Sequence, residues 1–462
     1  MLFSSPIFFA FFAVYFLLHR VTPPRYRVYL IICGSTVFYA WWKVEFVWIP
    51  YLLVAIAFCG VAWMERAVTP PARKRRLITV IIIMFLPLAG FKYTNFLYQD
   101  VLGIFFTIRG RLIDLALPLG ISFITFTLSA YVIDIYRNRF RSGQKLSTVL
   151  AYVLFFPHLI AGPILRPNEL IPQLEHPRQR SGTSYRTAIA IFTVGLVKKL
   201  VFADSIAKAV DSVYGAGGLP GSAQGLLALY GFSVQIYCDF SGYTDMAIGI
   251  ALLLGIRLPP NFARPYLATS LTDFWHRWHR TLSFWLRDYL YIPLGGNRSG
   301  AAKQWRNIMI TMILGGLWHG AHWTFVLWGL IHGLGLSAVH LFKRLRIMPP
   351  LPRWIAVLIT FHFVAVAWVF FRASDIKQAM QILSAPFIGH WNGAPAFIGG
   401  SYFPLFLIVA FFLLHPFDDY RRIKWEVRRL RPEIAWAIII CLWVLAITIS
   451  QGSSANFIYF DF

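Results

Sequence analysis

Residues 46–63 read FVWIPYLLVAIAFCGVAW, a run with no charged side chain and only Pro50 and Gly60 to interrupt it. A surface helix of a soluble protein keeps one polar face, and this segment has none. About 20 apolar residues are what an α-helix needs to cross roughly 30 Å of hydrocarbon. A membrane strand would alternate in polarity, and only helices and closed barrels satisfy their backbone hydrogen bonds in lipid. The same continuous texture recurs at Leu2–Leu18, Val28–Trp42, Leu77–Phe91 and Leu115–Tyr136, and again at Trp354–Phe371, Tyr402–His415 and Ile434–Ser450. The expected fold class is therefore all-α, a polytopic helical membrane protein.

Composition agrees. Of 462 residues, 58% are hydrophobic and 13% charged, with a mean hydropathy of +0.61; soluble domains carry about 25% charged residues. The net charge of +24 comes from 43 basic and 19 acidic residues. A nucleic-acid partner is not expected, because the basic residues sit in short clusters between apolar runs, which is the pattern of membrane topology. The clusters Arg20–Arg27, Arg66–Arg76, Arg137–Lys145, Lys343–Arg353 and Arg421–Arg431 are expected on the cytoplasmic side, which puts both termini outside. They also suit membrane lipids with anionic head groups, or a phosphorylated cofactor. Leu2–Leu18 has no leading basic region and no small-residue cleavage site, so it is expected to remain as a membrane helix. Cys33, Cys59, Cys238 and Cys441 lie scattered in apolar runs and show neither disulfide nor zinc spacing.

Between Ser147 and Leu341 the pattern breaks at Pro157, Gly162, Pro163, Lys198 and Lys199. Irregular backbone at membrane depth is tolerated only where protein or a water-filled cavity surrounds it. One membrane domain, 1–462, is expected, with N-terminal helices in 1–146, a functional core in 147–341 and C-terminal helices in 342–462. The absence of an internal repeat weakens a transporter reading.

Two segments of that core carry ionisable groups. Residues 271–296, LTDFWHRWHRTLSFWLRDYLYIPLGG, are too polar to cross lipid unaided, and an amphipathic helix lying along the interface is one reading. Residues 308–333, IMITMILGGLWHGAHWTFVLWGLIHG, place His319, His322 and His332 in an apolar run, where such groups usually face a cavity or a partner. The spacing of His319 and His322 permits a metal on a helix face, but no nearby Asp, Glu or Cys completes a site, and no metal is expected. Gly316 with Gly320, and Gly329 with Gly333, read as close helix packing. His332, His340 and His362 read as packing histidines. A histidine kept out of water stays neutral and can take the proton of an acceptor hydroxyl as it attacks a thioester. A second histidine or a tryptophan N–H would orient it or stabilise the oxyanion.

At these segments the chain resembles the membrane-bound O-acyltransferase family, most closely its bacterial branch of alginate O-acetyltransferases and D-alanyl transfer proteins. The resemblance rests on FFPHLIAGPILRPNELIPQL from Phe155, VGLVKKLVFAD from Val194, QIYCDFSGYTDMAIG from Gln235, RWHRTLSFWLRDYLYIPLGGNR from Arg277, GGLWHGAHWTFVLWGLIHG from Gly315 and the terminal FIYFDF. It implies roughly ten to thirteen membrane helices in a ring around a central funnel, with re-entrant and interfacial segments. It places His319 as the catalytic base and His279 as a second catalytic residue. Trp318, Asp239, Tyr243, Asp273, Trp275, Arg277 and His322 follow as substrate-binding candidates, although Asp239, Tyr243 and Asp245 read equally as helix-packing groups. Cys238, where the motif usually has an aromatic residue, and His276, where Arg or Asn is usual, depart from it and bear on the acceptor.

The resemblance further implies an O-acetyltransferase of the bacterial inner membrane. No cofactor is bound permanently, and acetyl-CoA is the cytoplasmic acyl donor. The acceptor is an extracytoplasmic polysaccharide such as alginate, reached with a periplasmic SGNH-esterase-like partner. D-alanyl transfer to teichoic acid, or transport of a polysaccharide or lipid, are the rival readings.

Overall fold

In this computed structural model the described residues are 1–106, 110, 112, 116–176, 182–298, 300–346, 351–451, 455, 457 and 458, and among them helices form and strands do not. Five helices are long and apolar enough to span a membrane: Val44–Glu65, Pro70–Tyr93, Trp323–Leu345, Arg353–Arg372 and Pro432–Ser450. A sixth span arises if Tyr402–Phe417 and Tyr420–Arg429, bent by 77°, are taken together. The chain divides into two compact units, Met1–Ile189 with Ala247–Pro259, and Ala190–Met246 with Pro260–Phe462.

In the first unit the ends of the apolar runs follow local chemistry. Pro6 opens the first helix, Pro6–Val21, because a proline at the first turn gives up an N–H that has no helical partner, and the Ser5 hydroxyl accepts from Phe8 N at 3.3 Å. The expected span at Val28–Trp42 is realised as a helix of 14 residues, Arg27–Ala40, or about 21 Å. Ile121–Tyr136, 16 residues long, buries nearly its whole circumference, including Thr125, Ser129 and Asp134; Leu115, where the sequence reading began this span, lies outside the described residues. The break expected at Pro157 is real: Leu146–Leu154 stops at Phe155, and a short turn Phe156–Leu159 follows. Its backbone is not left wanting, since Tyr152 Oη donates to Leu165 O at 2.7 Å and Phe156 N donates to Ser35 Oγ at 3.1 Å.

In the second unit, the run 308–333 is two helices, Ala301–His319 and Trp323–Leu345, joined at Gly320–His322. They pack as an antiparallel pair because two glycines remove side chains from the seam. A Cβ on Gly316 would lie 2.2 Å from Phe325 O, and one on Gly329 would lie 2.4 Å from Met312 O. Since the first helix ends at His319, His319 and His322 do not share a helix face, and the spacing that suggested metal ligands loses its geometric basis. Residues 271–296 likewise depart from a single interfacial helix: Leu271–Arg277 and Arg280–Trp285 are separated by Trp278 and His279, and a wide turn, Leu286–Tyr291, follows. Phe274, Trp275, Trp278 and His279 are buried, too many for a helix resting on the surface.

Apolar side chains such as Val14, Leu17, Phe406, Val409, Ile440 and Val444 are exposed along these helices, as lipid-facing residues must be. Cys33, Cys59 and Cys441 are exposed, Cys238 is buried, and all four are free thiols.

Candidate active site

The break between the two short helices exists to hold His279. Its backbone is left-handed, at φ 39° and ψ 54°, a conformation that a residue with a Cβ adopts only when its surroundings enforce it. Asn261 supplies part of that enforcement. Its Oδ1 accepts from Thr281 N at 3.2 Å and Thr281 Oγ1 at 2.9 Å, and its carbonyl accepts from Arg280 N at 2.9 Å. A backbone N–H can only donate, so the atom facing Thr281 N is oxygen. His279 Nδ1, 3.3 Å from the same oxygen, therefore carries the proton and donates. The lone pair of the ring is left on Nε2. Burial pushes this imidazole down to about 3, so it is neutral at physiological pH.

His279 and His319 meet across one indole. The Trp318 ring lies 6.2 Å from His279 and 4.9 Å from His319, edge-on to both. His319, 4% exposed, is boxed further by Trp328 and Phe371, each at 5.2 Å and near-perpendicular. Aromatic walls of this kind exclude water and fix the ring by edge-to-face contact. His332, which the sequence reading set aside as a packing residue, joins the same cluster at 4.8 Å from Trp328 and 5.2 Å from Trp275. It is fully buried, and neither ring nitrogen has a hydrogen-bond partner among the described residues.

The other candidates fall into different settings. Trp275 lines a cavity of about 280 Å³ with His276, Ser283, Arg287, Gln304 and His340. His279 and His319 do not line this cavity; Trp275, which does, packs on Trp328 at 5.8 Å, and Trp328 packs on His319 at 5.2 Å. Asp273 accepts from Thr269 N at 3.1 Å and pairs with Arg277 at 2.7 Å, while Ala263 N donates to Arg277 O at 3.0 Å. Asp273 and Arg277 thus stitch the 263–269 loop to the helix Leu271–Arg277, which leads into His279. His322 caps the helix Trp323–Leu345, accepting from Thr324 N on Nδ1 at 3.3 Å.

Asp239 and Tyr243 stand one turn apart on the long helix Ser222–Leu253, with Phe240 between them. Phe240 packs edge-on to His279 at 4.7 Å. Asp239 pairs with Lys199 at 2.9 Å, and Lys199 pairs also with Asp204 at 2.8 Å. The adjacent Lys198 reaches a separate pair of carboxylates, Asp245 at 2.8 Å and Asp418 at 2.7 Å. The wide turn Lys198–Ala203 sends the two lysines to different partners. Among the described residues no group of three His, Cys, Asp or Glu side chains is placed to hold a metal. Sequence reasoning missed Asn261, Trp328, Phe371 and Lys199 as site residues; the signal for Lys199 was a charged pair inside an apolar run, and the other three gave none.

Comparison with known proteins bears on the chemistry. Residues 27–374 match the model of the membrane-bound O-acyltransferase family. The chain is 38% identical over 434 residues to the protein of Pseudomonas aeruginosa named "Probable alginate O-acetylase AlgI", covering 90% of this chain and 82% of that one. It is 38% identical over 420 residues to the peptidoglycan O-acetyltransferase of Helicobacter pylori, covering 83% and 79%. It is 29% identical over 287 residues to the teichoic acid D-alanyltransferase of Bacillus subtilis, covering 56% and 70%. A helical membrane fold that buries two histidines about one tryptophan, together with these matches, establishes that the chain belongs to the membrane-bound O-acyltransferase family and is an O-acyltransferase.

Proposed function

We propose that this protein is an inner-membrane O-acetyltransferase that takes acetyl from acetyl-CoA on the cytoplasmic side and passes it toward hydroxyls of an extracytoplasmic polysaccharide such as alginate. The observation that carries the chemistry is the pair of histidine rings held on Trp318. His319 acts as the base: its imidazole takes the hydroxyl proton as the acceptor oxygen bonds to the thioester carbonyl. The tetrahedral intermediate collapses, the C–S bond breaks, and the imidazolium returns the proton to the departing thiolate, so no proton is gained or lost overall. His279, neutral and oriented by Asn261, positions the second side of the site. The cavity behind Trp275 is the approach for the acyl donor, opened when the Trp275 and Trp328 rings turn aside. Both termini lie outside, and helices beyond the recognised spans complete a ring of roughly ten to thirteen around a funnel. A periplasmic SGNH-esterase-like partner completes transfer to the polymer.

Acetyl is favoured over D-alanyl because the relatives at 38% identity are named for O-acetylation, whereas the D-alanyltransferase stands at 29% over a shorter match. Mass spectrometry of exported polysaccharides from cells with and without this protein tests the reading. Loss of O-acetyl esters from one polymer is expected; unchanged acetylation with halted polymer export would replace it with transport.

A further inference from the structure

The trio Asp204, Lys199 and Asp239 has no part in the chemistry above, yet it is built with care. Lys199 is 3% exposed and bridges the two carboxylates. Each carboxylate then accepts a backbone N–H from the end of the chain: Ala455 N donates to Asp204 Oδ2 at 3.2 Å, and Ile458 N donates to Asp239 Oδ2 at 2.7 Å. Charge-assisted bonds to backbone are short and directional, and they hold a segment whatever its side chains are. Between these two anchors the Phe457 ring, 1% exposed, packs at 4.8 Å on Tyr243 and 6.0 Å on Phe240. Phe240 is the ring that meets His279 at 4.7 Å.

We infer that Lys199, Asp204 and Asp239 are positioning residues of the acyltransferase: they clamp the backbone at Ala455 and Ile458 so that Phe457 closes the wall of rings behind His279. A cavity of about 260 Å³ lined by the trio, Gln235, Arg372, Ala455 and Ile458 runs beside the clamp. The two hydrogen bonds fix the backbone at Ala455 and Ile458 while the contacts of the Phe457 ring fill the space between. Lys199 pairs with one oxygen of each carboxylate and leaves the other to accept from the segment, so one buried cation orients two anchors. This role rests on the acyltransferase reading for its effect on catalysis, while the clamp itself is a matter of structure.

The test uses the full-length protein purified in detergent and in proteoliposomes. Ile458→Pro deletes the N–H that Asp239 accepts and leaves the trio untouched; Asp239→Asn weakens the same bond from the other side; Phe457→Ala removes the ring, and Phe457→Leu restores bulk. The expected result is a fall in kcat for acetyl transfer of about tenfold or more in the first three, as for other losses of alignment, with KM for acetyl-CoA unchanged and recovery in Phe457→Leu. Timed carboxypeptidase digestion read by mass spectrometry should stop at Ile458 in the parent and pass it in Asp239→Asn and Asp239→Ala, which keep residue 458 free of proline. Unaltered trimming in both variants would overturn the clamp, and opened trimming with unaltered kcat would overturn its service to the site. If the parent transfers no acetyl while His319→Ala is equally silent, the acyltransferase reading has failed, and trimming alone decides the clamp.

Discussion

At the scale of single residues the geometry separates groups that carry protons from groups that aim them. His319→Ala should lower polysaccharide acetylation by about 10²- to 10⁴-fold, the usual worth of a positioned base, with membrane abundance close to the parent's; immunoblots of membranes alongside ester assays check this. Asn261→Ala removes the acceptor that fixes the His279 tautomer and also releases Thr281. Activity should fall on the order of 10²-fold through misalignment, and Asn261→Asp, which keeps an accepting oxygen there, should retain more of it. His279 is held neutral by burial, with its value lowered to about 3, so it stays unprotonated across about pH 5 to 8. A pH–rate inflection near neutrality that disappears in His279→Gln would contradict that placement.

Elements set where these residues can be. The hairpin of Ala301–His319 and Trp323–Leu345 brings His319, Trp328 and His332 into one cluster only because Gly316 and Gly329 let the backbones meet. Gly329→Leu puts a side chain where Met312 O stands, and should cost at least the ~1–3 kcal/mol of an overpacked core; a lower melting temperature in detergent measures it. The turn Lys198–Ala203 depends on its ion pairs. Lys198→Met leaves Asp245 and Asp418 facing each other without their cation, and because all three side chains are only partly buried the cost should fall below the about 3–5 kcal/mol of a fully buried pair. Lys198→Met combined with Asp245→Asn and Asp418→Asn should recover part of the lost melting temperature, which distinguishes unpaired charge from lost packing.

For the molecule as a whole, reconstitution with purified donors checks the acyl group: acetyl-CoA should support turnover and a D-alanyl carrier protein should not. Much of the architecture was legible before any coordinates. Runs such as residues 46–63 and 434–450 became the spans Val44–Glu65 and Pro432–Ser450, because a continuous apolar surface leaves a chain no other solvent than lipid. The WHG block put His319 in an apolar run, where an ionisable group is costly enough to need a reason, whereas His279, in a polar segment, was singled out only by the family resemblance. Legibility stopped where contacts cross between distant segments. Periodicity could not show that residues 308–333 are two helices, nor that 271–296 turns inward at a left-handed histidine, because both depend on what packs against them. Asn261, an ordinary polar residue in a loop, became the orienter of His279 only through neighbours 18 and 20 positions away. The terminal FIYFDF is described only at Phe457 and Ile458, whose anchoring carboxylate Asp239 lies 219 positions from Ile458. Local composition thus determined the solvent and the helices, for those energies are summed residue by residue. The pairing of charges and the meeting of rings were decided by tertiary structure, because hydrogen bonds and edge-to-face contacts act over a few ångströms of space and carry no trace along the chain.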